Sequence, residues 1–459
     1  MKILLKCPTR SRPQKVIATL STYLRLATGV DRIGVLLSCD EDDTSMRKNL
    51  VQEELHRLLA PTAWHRIAFG ANTTKIQACN ADMDAVDYPW DIVVLVSDDM
   101  IPQVSGWDDI LRSQMLARFP DTRGILWCND GYQGEKLNTL TILGRQMYQE
   151  MGYLYHPDYK SLFCDNELTD RCRTDLKEAC HYIPYCIIRH EHPGTGYSEN
   201  HDLLYVRNQR FWAEDLHTYI RRKSYRYDWS VLIPTIPGRE ASLQRLLGSI
   251  REKTGRLAPT LRVEIQIDFD NRESSIGAKR QRLLQGAQGK YMSFIDDDDD
   301  ITDAYIEDLV AMLQGGFHTL RLRGAMGEYP FIHSLAITLK DPMAVGDTFQ
   351  RPPNHLNPML ADVAKLISFK NAVYGEDLDW AIGLATYGCL RTEYCPADLM
   401  RVHYLYNLRA PLHPSALVTQ RSTSFDAMLQ TIYTPKDRIP APVPVSPTLR
   451  LTPRGFVSK

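Results

Sequence analysis

The stretch Tyr291–Ile306, YMSFIDDDDDITDAYI, sets five consecutive aspartates directly behind an apolar run. Like charges ~5 Å apart repel by roughly 3 kcal/mol per adjacent pair at an effective dielectric of about 20. A folded chain keeps such a run only as a solvated loop or with positive charge beside it. The apolar residues before it read as a buried strand. ITDAYIEDLVAML behind it reads as a helix, whose N-terminal dipole favours acids. In an extended segment Asp296 and Asp298 point one way and Asp297 and Asp299 the other. Either pair is able to hold a divalent cation, directly or through water; capping and solvation are the plain alternative.

Outward from this stretch, one plan occurs twice. KILLKCP, RIGVLLSCD and WDIVVLVSDD read as strands, with PQKVIATLSTYLRLA and MRKNLVQEELHRLLA as helices between them. From about Tyr225 the order restarts with SVLIPTIP, EASLQRLLGSIREK, LRVEIQIDFDN, SSIGAKRQRLLQGAQ and KYMSFIDDDDD. Such alternation predicts a mainly parallel sheet flanked by helices. CPTRSRP (7–13) aligns with IPTIPGR (233–239), LLSCDEDD with IQIDFDN, and VVLVSDDM with MSFIDDDD. LFCDNELTD (162–170) aligns with VYGEDLDWA (373–381), and RHEHP (189–193) with RVHYLY (401–406). Matches in one order indicate a tandem duplication. The 459 residues exceed one ordinary core. The expected division is a first domain over 1–220, a linker over 221–228, a second domain over 229–434 and a proline-rich tail over 435–459.

A net charge of −2 supplies no global basic field for nucleic acid, leaving only a local groove for it. RRKSYRYDW (Arg221–Trp229) reads as a linker, with phosphate contact and base stacking as the alternative. The ten cysteines form no paired CxxC motifs, so zinc is not expected and a reduced, cytoplasmic protein is; for a viral chain this means the host cytoplasm. MKILLKCP is read as a first strand, not a signal peptide, and no apolar run is long enough to make a membrane a partner. Oligomeric state leaves no mark in the sequence.

Ligands of open parallel sheets bind beyond the carboxyl ends of the strands. In the second half those ends are Thr235–Arg239, Asp268–Asn271 and Asp296–Asp300; in the first they fall near Pro8 and Thr9, Asp40, and Asp98 and Asp99. In GEDLDW, Glu376 and Asp377 precede an apolar helix; they are either caps or a general base, and Asp165 is the first-half counterpart. Lys279, Arg280 and Lys75 either hold phosphates or lie on solvated helix faces. His403, and His190 with His192, are either structural or beside a metal.

Taken together, the proline-threonine strand end, the acids after the second strand, the Lys/Arg-bearing helix, the D-x-D cluster and the later G-E-D resemble nucleotide-sugar glycosyltransferases of the GT-A fold. The likeness is to the inverting group typified by family 2, over about 2–217 and 229–433, and is fuller in the second half. It implies an α/β fold of two tandem GT-A-like (Rossmann-like) domains, each a mainly parallel central sheet flanked by helices. For the second half it implies that Pro234, Thr235 and Arg239 form the nucleotide loop, joined by Lys279, and that Asp268 or Asp270 meets the base or ribose. Asp296, Asp298 and His403 are then the metal side, and Asp377, or its neighbour Glu376, the catalytic base. For the first half it implies Pro8, Thr9, Asp40 and Lys75 at the nucleotide, Asp98, Asp99 and His190 at the metal, and Asp165 as base. The implied cofactor is Mn2+ or Mg2+; the implied donor is a nucleoside-diphosphate sugar, a UDP-sugar first. Similar two-module chains without a membrane helix occur among bacteriophage proteins that glycosylate hydroxymethylated pyrimidines in DNA, so that acceptor is expected. A glycan- or protein-directed transferase, or a non-catalytic carbohydrate-binding scaffold, is the alternative. A nucleotidyltransferase is disfavoured because PTIPGRE lacks a glycine-rich phosphate cradle. The first half departs from the pattern in its shorter SDD and in Asn166 within CDNELTD.

Overall fold

The computed structural model describes residues 1–193, 201–338, 341, 344–407, 450–452 and 455–457. The end of the expected second domain, and the proline-rich tail apart from 450–452 and 455–457, lie outside the described residues. The chain divides between Lys223 and Ser224 into two compact units.

The first unit runs β1 (Ile3–Thr9), α1 (Pro13–Leu26), β2 (Ile33–Asp40), α2 (Asn49–Leu59), β3 (Trp64–Gly70), α3 (Lys75–Asn80), β4 (Ile92–Leu95), β5 (Met100–Pro102), α4 (Trp107–Arg118), β6 (Ile125–Cys128), β7 (Ile142–Gly144), α5 (Arg145–Met151), α6 (Cys164–Arg173), β8 (Cys180–Ile183), β9 (Ile188–His190), α7 (Leu203–Gln209) and α8 (Trp212–Arg222). Its sheet has the order β3-β2-β1-β4-β7-β6-β8. β7 is antiparallel to both neighbours, and β1, β2, β3 and β4 are mutually parallel. The strands were legible because a sheet covered on both faces makes its central strands almost wholly apolar, as in ILLKCPT and IGVLLSCD. Helix α1 starts on a proline, whose fixed φ suits the first helical position, and buries Val16, Leu20 and Tyr23 on one face. Strand order reverses between β1 and β4, the switch point that leaves a crevice beyond their carboxyl ends.

Lys6 breaks the apolar run of β1. It is fully buried, donates to the Ser38 hydroxyl, and that hydroxyl donates to Asp82 at 2.6 Å. Burial pushes its ammonium down to about 8. An ammonium with a depressed folded pKa costs most below about 8, where it is charged in both states, and the cost fades as pH rises toward the unfolded value. Lys6→Met is therefore expected to raise Tm at pH 7, by up to ~3 kcal/mol of stability. The advantage should shrink between pH 8 and 10.5, as measured by thermal unfolding across that range.

The second unit runs β10 (Tyr227–Thr235), α9 (Glu240–Leu257), β11 (Val263–Phe269), α10 (Ile276–Gly286), β12 (Gly289–Phe294), β13 (Asp300–Ile301), α11 (Asp303–Gly315), β14 (Thr319–Leu320), β15 (Leu322–Met326), β16 (Tyr329–His333), β17 (Ala344–Val345), β18 (Thr348–Arg351), β19 (Met359–Leu360), α12 (Ala361–Ala364), α13 (Glu376–Tyr387), β20 (Glu393–Tyr394) and β21 (Tyr404–Tyr406). Its main sheet, β11-β10-β12-β19-β14-β20, repeats the first unit's centre, with β10 parallel to both β11 and β12. A second sheet, β13-β21-β15-β16-β18-β17, was not visible in the sequence, because its strands are short and half-buried.

Within RRKSYRYDW three residues are tied into the elements on either side. Arg222 ends α8 and grips Glu167 with two nitrogens at 2.7 and 2.9 Å. Tyr225 donates to Asp362, and Trp229 is fully buried in β10 with its indole N–H on Ser293. The connector between elements is only Lys223–Arg226. All ten cysteines are free thiols. Among the described residues, no helix is long and apolar enough to cross a membrane.

Helix α10, which carries Lys279 and Arg280, leans its second residue on the segment 370–372. A Cβ on Gly277 would lie 1.9 Å from the Lys370 carbonyl oxygen. Gly277→Ala should cost ~1–3 kcal/mol by overpacking against backbone. That corresponds to a Tm fall of several degrees at ~2–4 °C per kcal/mol, measurable by thermal unfolding.

Candidate active site

The aspartate run is a turn, not the extended strand end expected. β12 stops at Phe294, and the Asp299 N–H donates to the Asp296 carbonyl at 3.0 Å. Burial still alternates: Asp297 and Asp299 are buried, Asp296 and Asp298 partly exposed. Each carboxylate has an arginine or a hydrogen-bond donor beside it. Asp296 receives Arg280 at 3.2 Å; Asp297 receives Thr235 Oγ1 at 2.6 Å and Arg239 at 2.5 Å; Asp298 lies 3.6 Å from Arg239. Asp299 receives the Tyr404 hydroxyl and the Asn407 N–H, and Asp300 receives Ser249. Burial, then the charge of Asp296, pushes Asp299 up to about 7. The repulsion raised by the sequence is thus offset by arginine and hydroxyl donors, with Asp296 and Asp298 left at the surface of the turn.

The remaining second-unit candidates knit into the same strand ends. Lys279 Nζ touches both the Thr235 carbonyl and Asp270 at 2.6 Å, so it braces the ends of β10 and β11. Asp268 is clamped by Arg282 at 2.8 and 3.0 Å. Glu376 opens α13 behind Gly375, whose φ of 78° needs a glycine-like conformation. Arg280 bridges Glu376 and Asp296. Burial raises the Glu376 carboxyl in spite of Arg280. Asp377, the next residue, is more exposed; its Oδ2 lies 4.0 Å from Arg351 and 3.8 Å from His355. His403 is not placed with them. Its Nδ1 accepts from the Arg323 N–H and its Nε2 faces Asp308 at 2.9 Å, so both nitrogens are engaged in joining β21 to β15 and α11.

In the first unit all eight sequence candidates, Pro8, Thr9, Asp40, Lys75, Asp98, Asp99, Asp165 and His190, line one cavity of about 240 Å³ at the switch point. Arg12 donates to Asp98 at 2.7 Å and to both Asp202 oxygens at 2.7 Å. Burial pushes Asp98 up to about 6 against the Arg12 charge. Burial works to raise Asp99 as well, but the His190 imidazole 3.7 Å away, with Ser97 and Lys75, holds it well below the usual carboxylate range. Asp165 is raised by burial, opposed by Lys75.

Helix caps set the correspondence between the units. Arg12 precedes α1 as Arg239 precedes α9, and their partners Asp98 and Asp297 sit second in equivalent turns. Ser97 therefore stands where Asp296 does, and Asp99 where Asp298 does. The first unit has S-x-D for the second's D-x-D, and Asp98 is the arginine-bound residue, not the counterpart of a cation-facing one. Phe163 (φ 62°) caps α6 as Gly375 caps α13, so Asp165 matches Asp377 and Cys164 matches Glu376. The sequence alignment was one residue out there. Thr74 and Ser275 cap α3 and α10 with their side chains, which puts Ala78 and Cys79 opposite Lys279 and Arg280. Lys75 is one turn earlier, though in the cavity. His190 pairs across from Met100, whereas His403 precedes the strand facing Asp300–Ile301, so the two histidines are not equivalent. Arg12, missed in the sequence, carried a signal: an arginine directly before the first helix in both halves.

Among the described residues no three His, Cys, Asp or Glu side chains gather at metal-binding geometry. The donor chemistry fits a magnesium or manganese ion shared with phosphates. That ion needs about six oxygens, of which the protein commonly gives one or two carboxylates. Asp296 and Asp298 supply this in the second unit. In the first, Asp99 stands beside His190, whose Nε2 lies 3.7 Å from its Oδ2.

No protein-family model and no curated protein matches the chain. Solved structures do match in part. A mannosyltransferase from Pyrobaculum calidifontis, in complex with GDP-Man and Mn2+, gives a TM-score of 0.37 at 14% identity over 49% of this chain. The chain spans 65% of that protein's length, under two thirds. S. aureus TarS 1-349 with UDP gives 0.30 at 15% identity, over 45% of this chain and 75% of its own. The same protein with UDP-GlcNAc gives 0.29 at 16% identity, over 41% and 61%.

Proposed function

We propose that the chain is a metal-dependent glycosyltransferase that moves a sugar from a nucleoside-diphosphate sugar to an acceptor hydroxyl with inversion. The observation that carries this is the convergence of Pro8, Thr9, Asp40, Lys75, Asp99, Asp165 and His190 on one switch-point cavity. The second unit repeats the arrangement around Asp296, Asp298 and Asp377.

Asp296 and Asp298, or Asp99 and His190, would hold a divalent cation, which when bound would supply positive charge beside the leaving diphosphate. The chain's own residues do the rest. Thr235 and Arg239, tied together through Asp297, present the nucleotide loop, and Lys279 fixes the ends of its two strands. Asp377, or Asp165 in the first unit, takes the proton from the acceptor hydroxyl. The oxygen then bonds to the anomeric carbon from the face opposite the departing diphosphate, whose bond to that carbon breaks. A carboxyl raised by burial, as Asp165 is, suits a base working near neutral pH. Donor and acceptor held together supply much of the rate.

Nucleotide release from UDP-, GDP-, ADP- and CDP-sugars, with manganese and then with EDTA, tests the proposal. Release that needs the metal is expected, with a UDP-sugar first. Absence of both metal-dependent release and metal-dependent nucleotide binding would move the reading to a carbohydrate-binding scaffold. Hydroxymethylated pyrimidine DNA heads the acceptor screen on the resemblance, with glycans and proteins following.

A further inference from the structure

We propose that His355 is a positioning residue for Asp377, holding one carboxylate oxygen so that the other faces the acceptor. The inference rests on the reading of Asp377 as the base. His355 is 5% exposed, and its Nδ1 is buried without a hydrogen-bond partner. Buried polar atoms are nearly always paired, so an orphan aimed at a carboxylate 3.8 Å away asks for a reason. The ring is held in place. The His355 carbonyl accepts from the Phe294 N–H at 2.9 Å, and the imidazole meets the Phe294 ring at 65°. The turn around it is cross-braced: Asn354 and Asn357 bond each other, and the Asn357 amide donates to the Leu320 carbonyl.

Burial, reinforced by the charges of Arg280 and Arg351 and by His333, pushes His355 well below the ordinary imidazole value, so it is neutral. A neutral imidazole with its proton on Nδ1 donates to a carboxylate without adding charge. The oxygen it faces, Asp377 Oδ2, is also the one 4.0 Å from Arg351, which leaves Oδ1 for the acceptor proton. Catalytic hydrogen bonds are often long before substrate binds, and closing this gap takes less than ~1 Å of movement.

The experiment compares full-length wild type with Asp377→Asn, His355→Asn, His355→Gln and His355→Leu. The readouts are Tm, and kcat and KM for nucleotide release from the sugar nucleotide that turns over. Asparagine places an amide nitrogen where Nδ1 stands; glutamine reaches only the Nε2 position. His355→Leu and His355→Gln should lose about 10–100-fold in kcat, with donor KM within about twofold. His355→Asn should stay within about threefold of wild type. Removing an orphaned polar atom should leave the Tm of His355→Leu equal or higher. If His355→Leu turns over like wild type while Asp377→Asn is dead, the positioning role is wrong and the base stands. Equal loss in His355→Asn and His355→Leu also overturns it. An Asp377→Asn protein at wild-type rate overturns the base and the positioning role together.

Discussion

Asp377→Asn is expected to lower the rate of glycosyl transfer by ~10²–10⁴-fold, the usual worth of a positioned general base. Donor KM should change little. The amide keeps the size of the carboxylate and its place at the second residue of α13, but cannot take a proton. The neighbour Glu376, the alternative base, is buried and paired with Arg280. Asp165→Asn is the matching test in the first unit, where the carboxyl lines the cavity with Lys75. Single-turnover rates of the two variants and the double assign the chemistry. A loss confined to Asp377→Asn makes the first unit a binding partner; a loss confined to Asp165→Asn reverses that; partial losses that combine mean both units turn over. Full activity in the double variant would remove both residues from the mechanism.

The strands that build the crevice were readable because burial on both faces forces apolar runs, and the helices because one face of each is apolar. Where the sequence misled, side-chain pairing had overridden pattern. The aspartates looked like a strand continuing to Asp300, but Arg239, Arg280 and Tyr404 make a turn the lower-energy arrangement. Asp98 looked like a metal ligand because two acids follow a strand; in the structure it pairs with the half-buried arginine at the helix cap. His403 was set beside His190 by matching RHEHP to RVHYLY, a register that strand pairing does not keep. The second sheet and the His355 turn had no sequence signal: their short strands carry no period, and the turn is specified by asparagines bonding to backbone and to each other.

Arg280→Ala should be the most destabilising single change in the second unit. Its guanidinium is buried and holds Glu376 at 2.5 Å and Asp296 at 3.2 Å. Deleting one partner of a buried ion pair costs ~3–5 kcal/mol, because the charge left behind is unpaired in a poor solvent. A Tm fall of roughly 10 °C follows for a unit of this size. Replacing both partners by apolar residues of similar volume, as in Arg280→Met with Glu376→Leu, should recover most of that loss, since no buried charge is stranded. The chain already contains this experiment. At the cap-equivalent positions the first unit has Cys79 and Cys164, both buried and both pushed up by burial, hence neutral thiols. Ser97 stands there in place of Asp296. Three charges have been exchanged for three neutral groups together, the pattern expected if each charge is tolerable only with the others. Urea unfolding of Arg280→Ala, the apolar pair and the triple variant Arg280→Cys, Glu376→Cys, Asp296→Ser decides it. The triple variant should approach wild-type stability while losing metal-dependent release from the second unit. If Arg280→Ala unfolds at the wild-type midpoint, the ion bridge does not hold the acidic turn against α13, and the exchange between units reflects drift.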